Sequence, residues 1–399
     1  MSRLRQFLKR AAWAMLAIAI GFAIWLPLAH FVFKPNLADY RSPGGIPPAA
    51  MALARHHLEL WSNPVSRAGE VRRMRASNAE WDFMGRTFFV LALANMALRD
   101  PAIEPKCLAA IDAIIDETIR LERQEGKFFF LMDYARGSEF AGKPDRSLFL
   151  DGEIAMMLGA RRMVRERADY KPLLAERVAA IINSMQSGPV LSGESYPNEC
   201  WMFCNTTALA ALRLADALDG ADHSGFFAKW LGTARAKLVH RDTGLLISSY
   251  TYDGTMLDGP EGSSIWWSSH CLVLIDPAFA RDQYERAKRE ISADILGFGY
   301  AREWPRSWQG KHDIDSGPVI PIVEASAGSS GLAFVAAGAF DDDAYLTRLL
   351  TTLNFAAFPV RRDGAVRYSA SNQVGDAAML YALVQGPLWR KAMQKGAAR

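Results

Sequence analysis

The sequence lacks the residue patterns that hold metal ions, and it is poor in cysteine. Four cysteines occur in 399 residues, which is far below the density of a disulfide framework. No CxxC…CxxC pair, HExxH motif or histidine cluster with zinc spacing is present. We therefore expect neither a metal nor any other cofactor.

A basic or acidic block is also missing beyond the first residues. The formal net charge is +3, and residues 1–10 contain four cations and no acid. Acidic and basic residues nearly cancel in the rest of the chain, so the sequence gives no reason to expect a nucleic-acid partner.

Residues 11–33 contain no formally charged side chain and are interrupted only by Gly21, Pro27 and His30. About 20 apolar residues cross a bilayer, so this stretch predicts a transmembrane anchor. The preceding cations favour a cytoplasmic N-terminus and an exported remainder. A cleaved signal peptide is the competing interpretation, but its apolar core is usually about 7–15 residues and ends at an A-x-A-like site. The segment LAHFVFKP offers no such site.

The remainder of the chain predicts one large helical domain. Residues 34–48 are rich in proline and glycine and are expected to be an extended linker, followed by a domain over 49–390 and a tail over 391–399. Apolar periodicity predicts short, consecutive helices and a single convincing strand, at 244–250. The helices are predicted at 77–98, 108–121, 147–165, 171–186, 205–218, 225–239, 278–296, 320–337, 342–355 and 374–388, with a weaker one near 265–274. Paired helices of this number suit an (α/α)6 toroid, an all-α ring whose central funnel is lined by inner-helix N-termini.

The most distinctive segment is residues 196–220, YPNECWMFCNTTALAALRLADALDG. Asn205 is a good N-cap and Gly220 a good C-terminal stop for the helix between them. Cys204 would then lie beside a helix N-terminus, where the dipole lowers a thiol pKa and favours a functional cysteine. A buried cysteine acting as a small apolar side chain is the alternative. Glu199 is close enough in sequence to serve as an acid or base.

Two acid pairs are further candidates. Asp151 and Glu153 flank a glycine in the apolar setting LFLDGEIAMM, where a desolvated carboxyl can act as a proton donor. Asp313 and Asp315 precede a Ser-Gly-Pro turn. Each pair also has a structural interpretation, as a complement to a helix dipole or as a loop clamp.

Aromatic side chains surround these segments, and eleven tryptophans are present in all. Many aromatic residues serve only as core, but several here lie in loops rich in glycine and serine. Such side chains are typical of a deep apolar pocket. The candidates for substrate contact are Trp201, Phe203, Trp266 and Trp267.

The segment PNECWMFCNTTALAALRLADALDG resembles the surroundings of a catalytic cysteine in the bacterial linalool dehydratase/isomerase family. FFVLALANMALRDP, FLDGEIAMMLGARRMV, GLLISSYTYDG with IDPAFARDQYERAK, and RYSASNQVGDAAMLYALV resemble further segments of that family in the same order. The resemblance covers most of residues 51–388, with Cys-Asn and Asp-Pro-Ala-Phe-Ala as its most specific pieces.

This resemblance implies an (α/α)6 fold, a cyclic oligomer, export, and cofactor-free hydration, dehydration and isomerisation of small terpene alkenols. The family's central cysteine falls on Cys204, and its second active-site cysteine falls on Ser195. Its histidine falls on Glu153 and an early aspartate on Glu59, while its structural disulfide has no matching pair. The set of ionisable side chains at the site therefore differs from that of the family.

The leading hypothesis is a lyase or isomerase that acts on an isoprenoid-like alkenol. Glu153 or Asp313 would protonate the departing hydroxyl, and a base near Cys204 or Glu199 would remove a carbon-bound proton. Asp151, Ser195 and Asn205 are assigned with the aromatic residues to substrate binding. The expected partners are an apolar small molecule and the lipid bilayer, with a second copy of the chain or a membrane complex as further candidates. The expected location is the bacterial inner membrane, with the domain in the periplasm.

Two other classes of function remain open. A carbohydrate-active toroid would use two carboxyls, about 5–5.5 Å apart for retention or about 6.5–9.5 Å for inversion. Asp151, Glu153, Asp313 and Asp315 would supply them. A non-catalytic anchored subunit of a membrane complex is the third class. An aromatic, dry funnel favours alkenols, whereas an open polar groove favours sugars.

Overall fold

The computed structural model describes residues 2–143, 145–313 and 316–397. Helix α1 (Ser2–Leu28) comes first and is followed by the short α2 (His30–Phe33). This N-terminal region is long and apolar enough to cross a membrane, and its apolar stretch is not buried against the rest of the protein.

The domain contains fourteen more α-helices and short strands in its described part. The helices are α3 (Pro48–Ser62), α4 (Pro64–Ser77), α5 (Ala79–Arg99), α6 (Glu104–Glu125), α7 (Leu148–Val164), α8 (Tyr170–Ser187), α9 (Met202–Asp219), α10 (Ser224–Lys237), α11 (Gly262–Leu272), α12 (Pro277–Ile291), α13 (Ala327–Ala339), α14 (Asp343–Ala356), α15 (Gln373–Val384) and α16 (Pro387–Ala397). The strands are β1 (Cys200–Trp201), β2 (Ser249–Tyr250), β3 (Met256–Asp258), β4 (Ser292–Ile295), β5 (Phe298–Ala301), β6 (Val319–Ile320), β7 (Ala325–Ser326), β8 (Pro359–Arg362) and β9 (Ala365–Tyr368). They form one three-stranded sheet, β1-β2-β3, and three antiparallel hairpins.

Six helices close into a ring. Helices α5, α7, α9, α11, α13 and α15 each pack against the next, and α15 packs back against α5. Helices α6, α8, α12 and α14 each lie outside the inner helix that precedes them, α10 follows α9 in the same way, and α3 covers α15. The architecture is therefore an (α/α)6 toroid, as the sequence predicted.

Burial distinguishes the two rings. Every residue of α7 from Leu148 to Met163 is buried, because this helix has neighbours on all sides. The outer helix α6 buries a stripe that includes Ile111, Ile114 and Ile115 and exposes charged residues on its other face. A helix that is apolar all round belongs inside and an amphipathic one outside, so composition assigns each helix to its ring.

The inner helices all begin at the same end of the ring, which we call the mouth end. Backbone bonds tie the start of one inner helix to the segment that leads into the next. The Leu148 amide donates to the Glu194 carbonyl at 2.7 Å, and the Met202 amide donates to the Ser248 carbonyl at 2.8 Å. The loops and hairpins that lead into inner helices therefore gather at this end.

Helix α16 closes the opposite end, which we call the base. The Leu388 amide donates to Asn95 Oδ1 at 3.0 Å, and Ala392 is fully buried. The predicted tail over 391–399 is therefore wrong as far as Ala397, because this segment is helical and contributes to the core. Gly386, at φ 111°, and Pro387 end one helix and start the next.

Two predicted helix boundaries and the predicted linker also differ from the structure. The helix predicted at 278–296 ends at Ile291 and continues as β4, and the one predicted at 320–337 begins only at Ala327. The predicted linker is not a free spacer. Tyr40 is buried and its hydroxyl donates to Asn354 Oδ1 at 3.0 Å, so this segment lies against α14.

Gly152 sets the closest approach of two inner helices. A Cβ placed there would lie 3.3 Å from Ala208 Cβ and 3.4 Å from Ala208 Cα on α9. We expect Gly152→Val to lower the free energy of unfolding by about 1–3 kcal/mol, because the backbone of α9 must move. Gly232→Val on the exposed face of α10 is the matched control, since nothing lies within 4 Å of its Cβ position, and it should change stability by less than about 0.5 kcal/mol. Urea unfolding of both variants tests this, and equal losses would show that the contact is not limiting.

Candidate functional site

The three residues of the motif Asp151-Gly152-Glu153 lie at the start of α7 and face three different parts of the structure. Gly152 packs on α9, Glu153 lies inside the ring, and Asp151 faces the outer helices. Successive helical residues are about 100° apart, so neighbouring acids meet different surroundings.

Asp151 belongs to an ion-pair network. Its carboxylate accepts from Arg146 at 2.6 and 2.8 Å and from Arg177 at 2.7 Å. Arg177 also pairs with Glu122 of α6. These bonds tie α6, α7 and α8 together, so the contacts of Asp151 are structural and do not fit its predicted role in substrate binding.

Glu153 has the opposite environment. It is 2% exposed and makes no ion pair in the described part of the chain. Its Oε2 accepts a hydrogen bond from the hydroxyl of Thr87 on α5. Burial raises the pKa of Glu153 to about 8, and the nearby Glu80 charge adds to the rise.

The Thr87 hydroxyl donates to Glu153 Oε2. This bond favours the carboxylate and so opposes the rise in the pKa of Glu153. Burial is the larger effect, and the pKa stays raised to about 8. The site therefore favours a neutral carboxylic acid near neutral pH.

Cys204 lies in the first turn of α9, one helix along the ring from Glu153. Its thiol bonds Ser195, and it senses the charge of Glu153. Burial raises the pKa of Cys204 well above its ordinary value, contrary to the lowering expected from the helix dipole. The desolvation of a fully buried thiolate outweighs the dipole here. Cys204 is therefore a neutral thiol.

Asn205 does not cap α9, because the helix begins three residues earlier, at Met202. Its amide instead bridges two backbone segments. Oδ1 accepts from the Gly193 amide at 3.0 Å, and Nδ2 donates to the carbonyls of Gly193 at 3.1 Å and Trp201 at 2.9 Å. These bonds use the amide structurally, which does not fit its predicted role in substrate binding. The predicted stop at Gly220 is confirmed, with φ 75°.

Aromatic rings form one wall of the site. The Trp267 ring stacks on Phe203 with centroids 5.5 Å apart and meets Phe88 edge-on at 5.0 Å. Its indole Nε1 donates to Thr207 Oγ1 at 2.7 Å. This bond holds the ring against α9, the helix that carries Cys204.

Trp266 lies on the other side of α11. Its indole donates to Ser329 Oγ at 3.1 Å, and its ring packs against Tyr284 of α12 at 5.9 Å. The predicted substrate contact for Trp266 therefore does not fit, because adjacent residues on a helix face different neighbours. Trp267 remains a candidate for substrate contact.

Glu199 lies nearer the mouth and is half-buried. Its Oε2 accepts from the Tyr134 hydroxyl at 3.0 Å and from the Trp201 indole at 3.4 Å. Burial raises the pKa of Glu199, while these two donors oppose the rise by favouring the carboxylate.

The remaining predicted acids are elsewhere. Glu59 is exposed on α3, so it does not line the ring, and Asp313 is exposed in the segment between β5 and β6. Asp315 lies outside the described residues. Sequence reasoning missed Glu80, whose charge acts on both Glu153 and Cys204 from the first turn of α5. Its position at the start of a predicted inner helix was the available signal.

The site is closely packed. Phe203 is 9% and Cys204 7% exposed, so both residues are almost completely buried. A hollow of about 620 Å³ lies elsewhere, on the surface beside Arg235, Arg241 and Asp253. It shares no residue with the acid and thiol, and we assign it no part in the site.

An (α/α)6 ring with a neutral acid, a neutral thiol and an aromatic wall at its inner-helix N-termini defines a toroid with one central candidate active site. The profile of the linalool dehydratase/isomerase family matches residues 156–374, which is more than half of the chain and includes Cys204. The protein belongs to this family.

Solved structures with a similar fold act on sugars, according to their names. The GH76 alpha-mannanase of Bacteroides thetaiotaomicron is 9% identical, with a TM-score of 0.49 over 78% of this chain and 87% of its own. The unsaturated glucuronyl hydrolase of Bacillus sp. GL1 is 11% identical, with a TM-score of 0.48 over 74% and 84%. A D-mannose isomerase is 11% identical, with a TM-score of 0.49 over 75% and 86%. Likeness at this level does not extend to substrate or reaction.

The buried acid makes stability depend on pH. Because the folded-state pKa of Glu153 is about 8, above its ordinary 4.5, the neutral form stabilises the fold below pH 4.5 and this contribution is lost as pH rises through 8. We expect Glu153→Gln to unfold at a higher temperature than the wild type at pH 9, with the advantage shrinking towards pH 5. Glu176→Gln, at an exposed carboxyl on α8, is the control. Parallel melting profiles for Glu153→Gln and wild type would contradict the assignment.

Proposed function

We propose that the protein is a cofactor-free lyase or isomerase that removes, adds or relocates water and double bonds in an apolar alkenol. The observation that carries this proposal is Glu153, a buried carboxyl that has no ion pair among the described residues and is held neutral in an aromatic site. A neutral acid near neutral pH is a competent proton donor. Membership of the linalool dehydratase/isomerase family supports the same class of reaction.

In the dehydrating direction, Glu153 gives its proton to the substrate hydroxyl and the carbon–oxygen bond breaks to release water. The positive charge that develops on the allylic carbon faces the rings of Trp267 and Phe203, which stabilise it electrostatically. The Glu199 carboxylate then takes a proton from the neighbouring carbon, and the electrons of that bond form the new alkene. Proton exchange between the two carboxyls and water restores the starting state.

Cys204 serves this reaction best as a neutral donor. Its raised pKa makes a thiolate costly, so it is a poor base in the resting site. Its thiol, beside Ser195 and Glu153, can donate a hydrogen bond to the substrate oxygen and hold it towards the acid.

The location is part of the proposal. The cations of residues 1–10 would keep the N-terminus of α1 in the cytoplasm, and α1 would cross the bacterial inner membrane. The toroid would then lie in the periplasm, tethered at the bilayer surface.

The carbohydrate alternative is less well supported by the site. Of the carboxyls predicted for it, Asp151 is held by Arg146 and Arg177 on the outer side of α7, so it does not face Glu153 across one cleft. Turnover of an alkenol by the purified protein would exclude the non-catalytic alternative.

The test is conversion of a panel of alkenols by the full-length protein in detergent, followed by gas chromatography. Glu153→Gln should lower kcat by about 10²–10⁴-fold, because it removes the proton donor while keeping the shape. Cys204→Ala should lower it less, since it removes one oriented hydrogen bond.

Two variants control for nonspecific damage. Glu176→Gln changes an exposed carboxyl of α8, and Cys107→Ala removes a buried thiol of the outer helix α6. Both should retain turnover. Activity that survives Glu153→Gln and Cys204→Ala would exclude the proposed site, and no turnover of any alkenol would favour the other two classes of function.

A further inference from the structure

Exposed apolar side chains outside α1 and α2 are concentrated at the mouth end. Among the described residues after Phe33, all the large exposed ones except Val65 lie at the end of an outer helix or in a segment that leads into an inner helix. They are Tyr134, Met256, Leu257, Ile295, Leu296, Ile320, Ile322, Phe355, Phe358 and Val360. A face with this many exposed apolar side chains marks an interaction surface.

The N-terminal helices join the domain at this same face. The Phe33 ring packs against Phe355 at 5.0 Å and Phe298 at 6.2 Å, and Asn354 Nδ2 donates to the Phe33 carbonyl at 3.0 Å. Phe355 ends an outer helix and Phe298 starts β5, so both belong to the mouth end. The apolar stretch of α1 therefore enters the domain beside the exposed apolar residues.

The β4–β5 hairpin keeps an apolar side chain exposed at a position where the backbone is strained. Its two-residue turn, Leu296-Gly297, has φ values of 52° and 87°, as in a type I′ turn. That turn usually carries Asn-Gly, because few side chains tolerate a positive φ. Here a leucine occupies the strained position with 41% of its surface exposed, next to Ile295. The turn also lies against His30, the first residue of α2.

Cations accompany these apolar residues. Lys34 is exposed directly after α2, and Arg361 is exposed on β8, near Phe358, while the adjacent Arg362 pairs with the exposed Asp363. Apolar side chains that insert between headgroups, with cations around them that meet anionic lipid, are the chemistry of an interfacial membrane contact.

We infer that the mouth end of the toroid rests on the lipid bilayer, with the Leu296 turn and Phe358 inserted at the headgroup level. An apolar substrate then passes from the lipid into the ring without crossing bulk water. The route rests on the proposed function, whereas the contact itself requires only that α1 is inserted in the membrane.

The test uses full-length protein in vesicles of phosphatidylethanolamine and phosphatidylglycerol. Leu296→Cys is labelled with an environment-sensitive nitrobenzoxadiazole fluorophore, and Phe358→Cys serves as a second mouth position. Ala221→Cys, exposed in the turn between α9 and α10 at the base, is the matched control. The four native cysteines are buried, so labelling of the unmutated protein gives the background.

We expect the two mouth labels to emit at shorter wavelength in vesicles and to lose intensity when lipids carrying acyl-chain spin labels are included, while the Ala221→Cys label does neither. Equal quenching at all three positions, or none at the mouth, would overturn the inference. A shift at the mouth without quenching by lipid would also overturn it, because it would indicate cover by protein, such as a second copy.

These outcomes are independent of catalysis. If the labels report lipid contact but no alkenol is converted, the proposed reaction fails and the contact stands. If alkenols are converted without lipid contact at the mouth, the reaction stands and the contact fails. Thermal melting of each cysteine variant against the unmutated protein confirms that the fold is unchanged.

Discussion

The site depends on the close contact between α7 and α9. Because Gly152 has no side chain, α7 and α9 approach closely at Ala208, and Glu153 of α7 lies near Cys204 of α9. With no cation paired to it in the described part of the chain, the buried carboxyl holds its proton, and the buried thiol of Cys204 holds its own. The close contact of the two helices therefore brings the two central groups together.

Several charged residues elsewhere on the inner helices form ion pairs with neighbouring helices. Arg86 of α5 pairs with Glu117 of α6, Arg161 of α7 with Asp112 of α6, and Arg162 of α7 with Asp219 at the end of α9. Removing one partner from such a buried pair typically costs about 3–5 kcal/mol, because the other charge remains buried. These pairs link helix to helix around the toroid. Glu153 has no ion pair among the described residues, and this is compatible with its proposed role as the proton donor.

The sequence predicted the ring because periodicity and short loops are local properties. It also placed Cys204 near a helix start and Glu153 in an apolar setting. It failed where a side chain's neighbours come from distant segments. Asp151 and Glu153 have nearly the same sequence surroundings, yet Asp151 is bonded to Arg177 and Glu153 to Thr87.

The aromatic and amide assignments show the same limit. Trp266 and Trp267 are adjacent in sequence, but only the second faces the inside of the ring. Asn205 has the chemistry of an N-cap, yet the bridge to Gly193 lets α9 begin earlier, so a tertiary contact overrode a local preference. Glu80 was missed because only the closed ring brings the start of α5 towards α7 and α9.

The acid and the exposed face can be understood together. A neutral Glu153 is maintained only while water and cations stay out, and a site opening into bulk solvent would admit both. A mouth that rests on lipid would exclude them and admit apolar molecules. The same contact would explain why a leucine is kept at a positive φ in the β4–β5 turn, where asparagine would be less strained but would not enter the membrane interface. On these two proposals, the tether, the apolar face and the protonation state of the acid would all follow from one arrangement, in which the toroid would draw its substrate from the bilayer that anchors it.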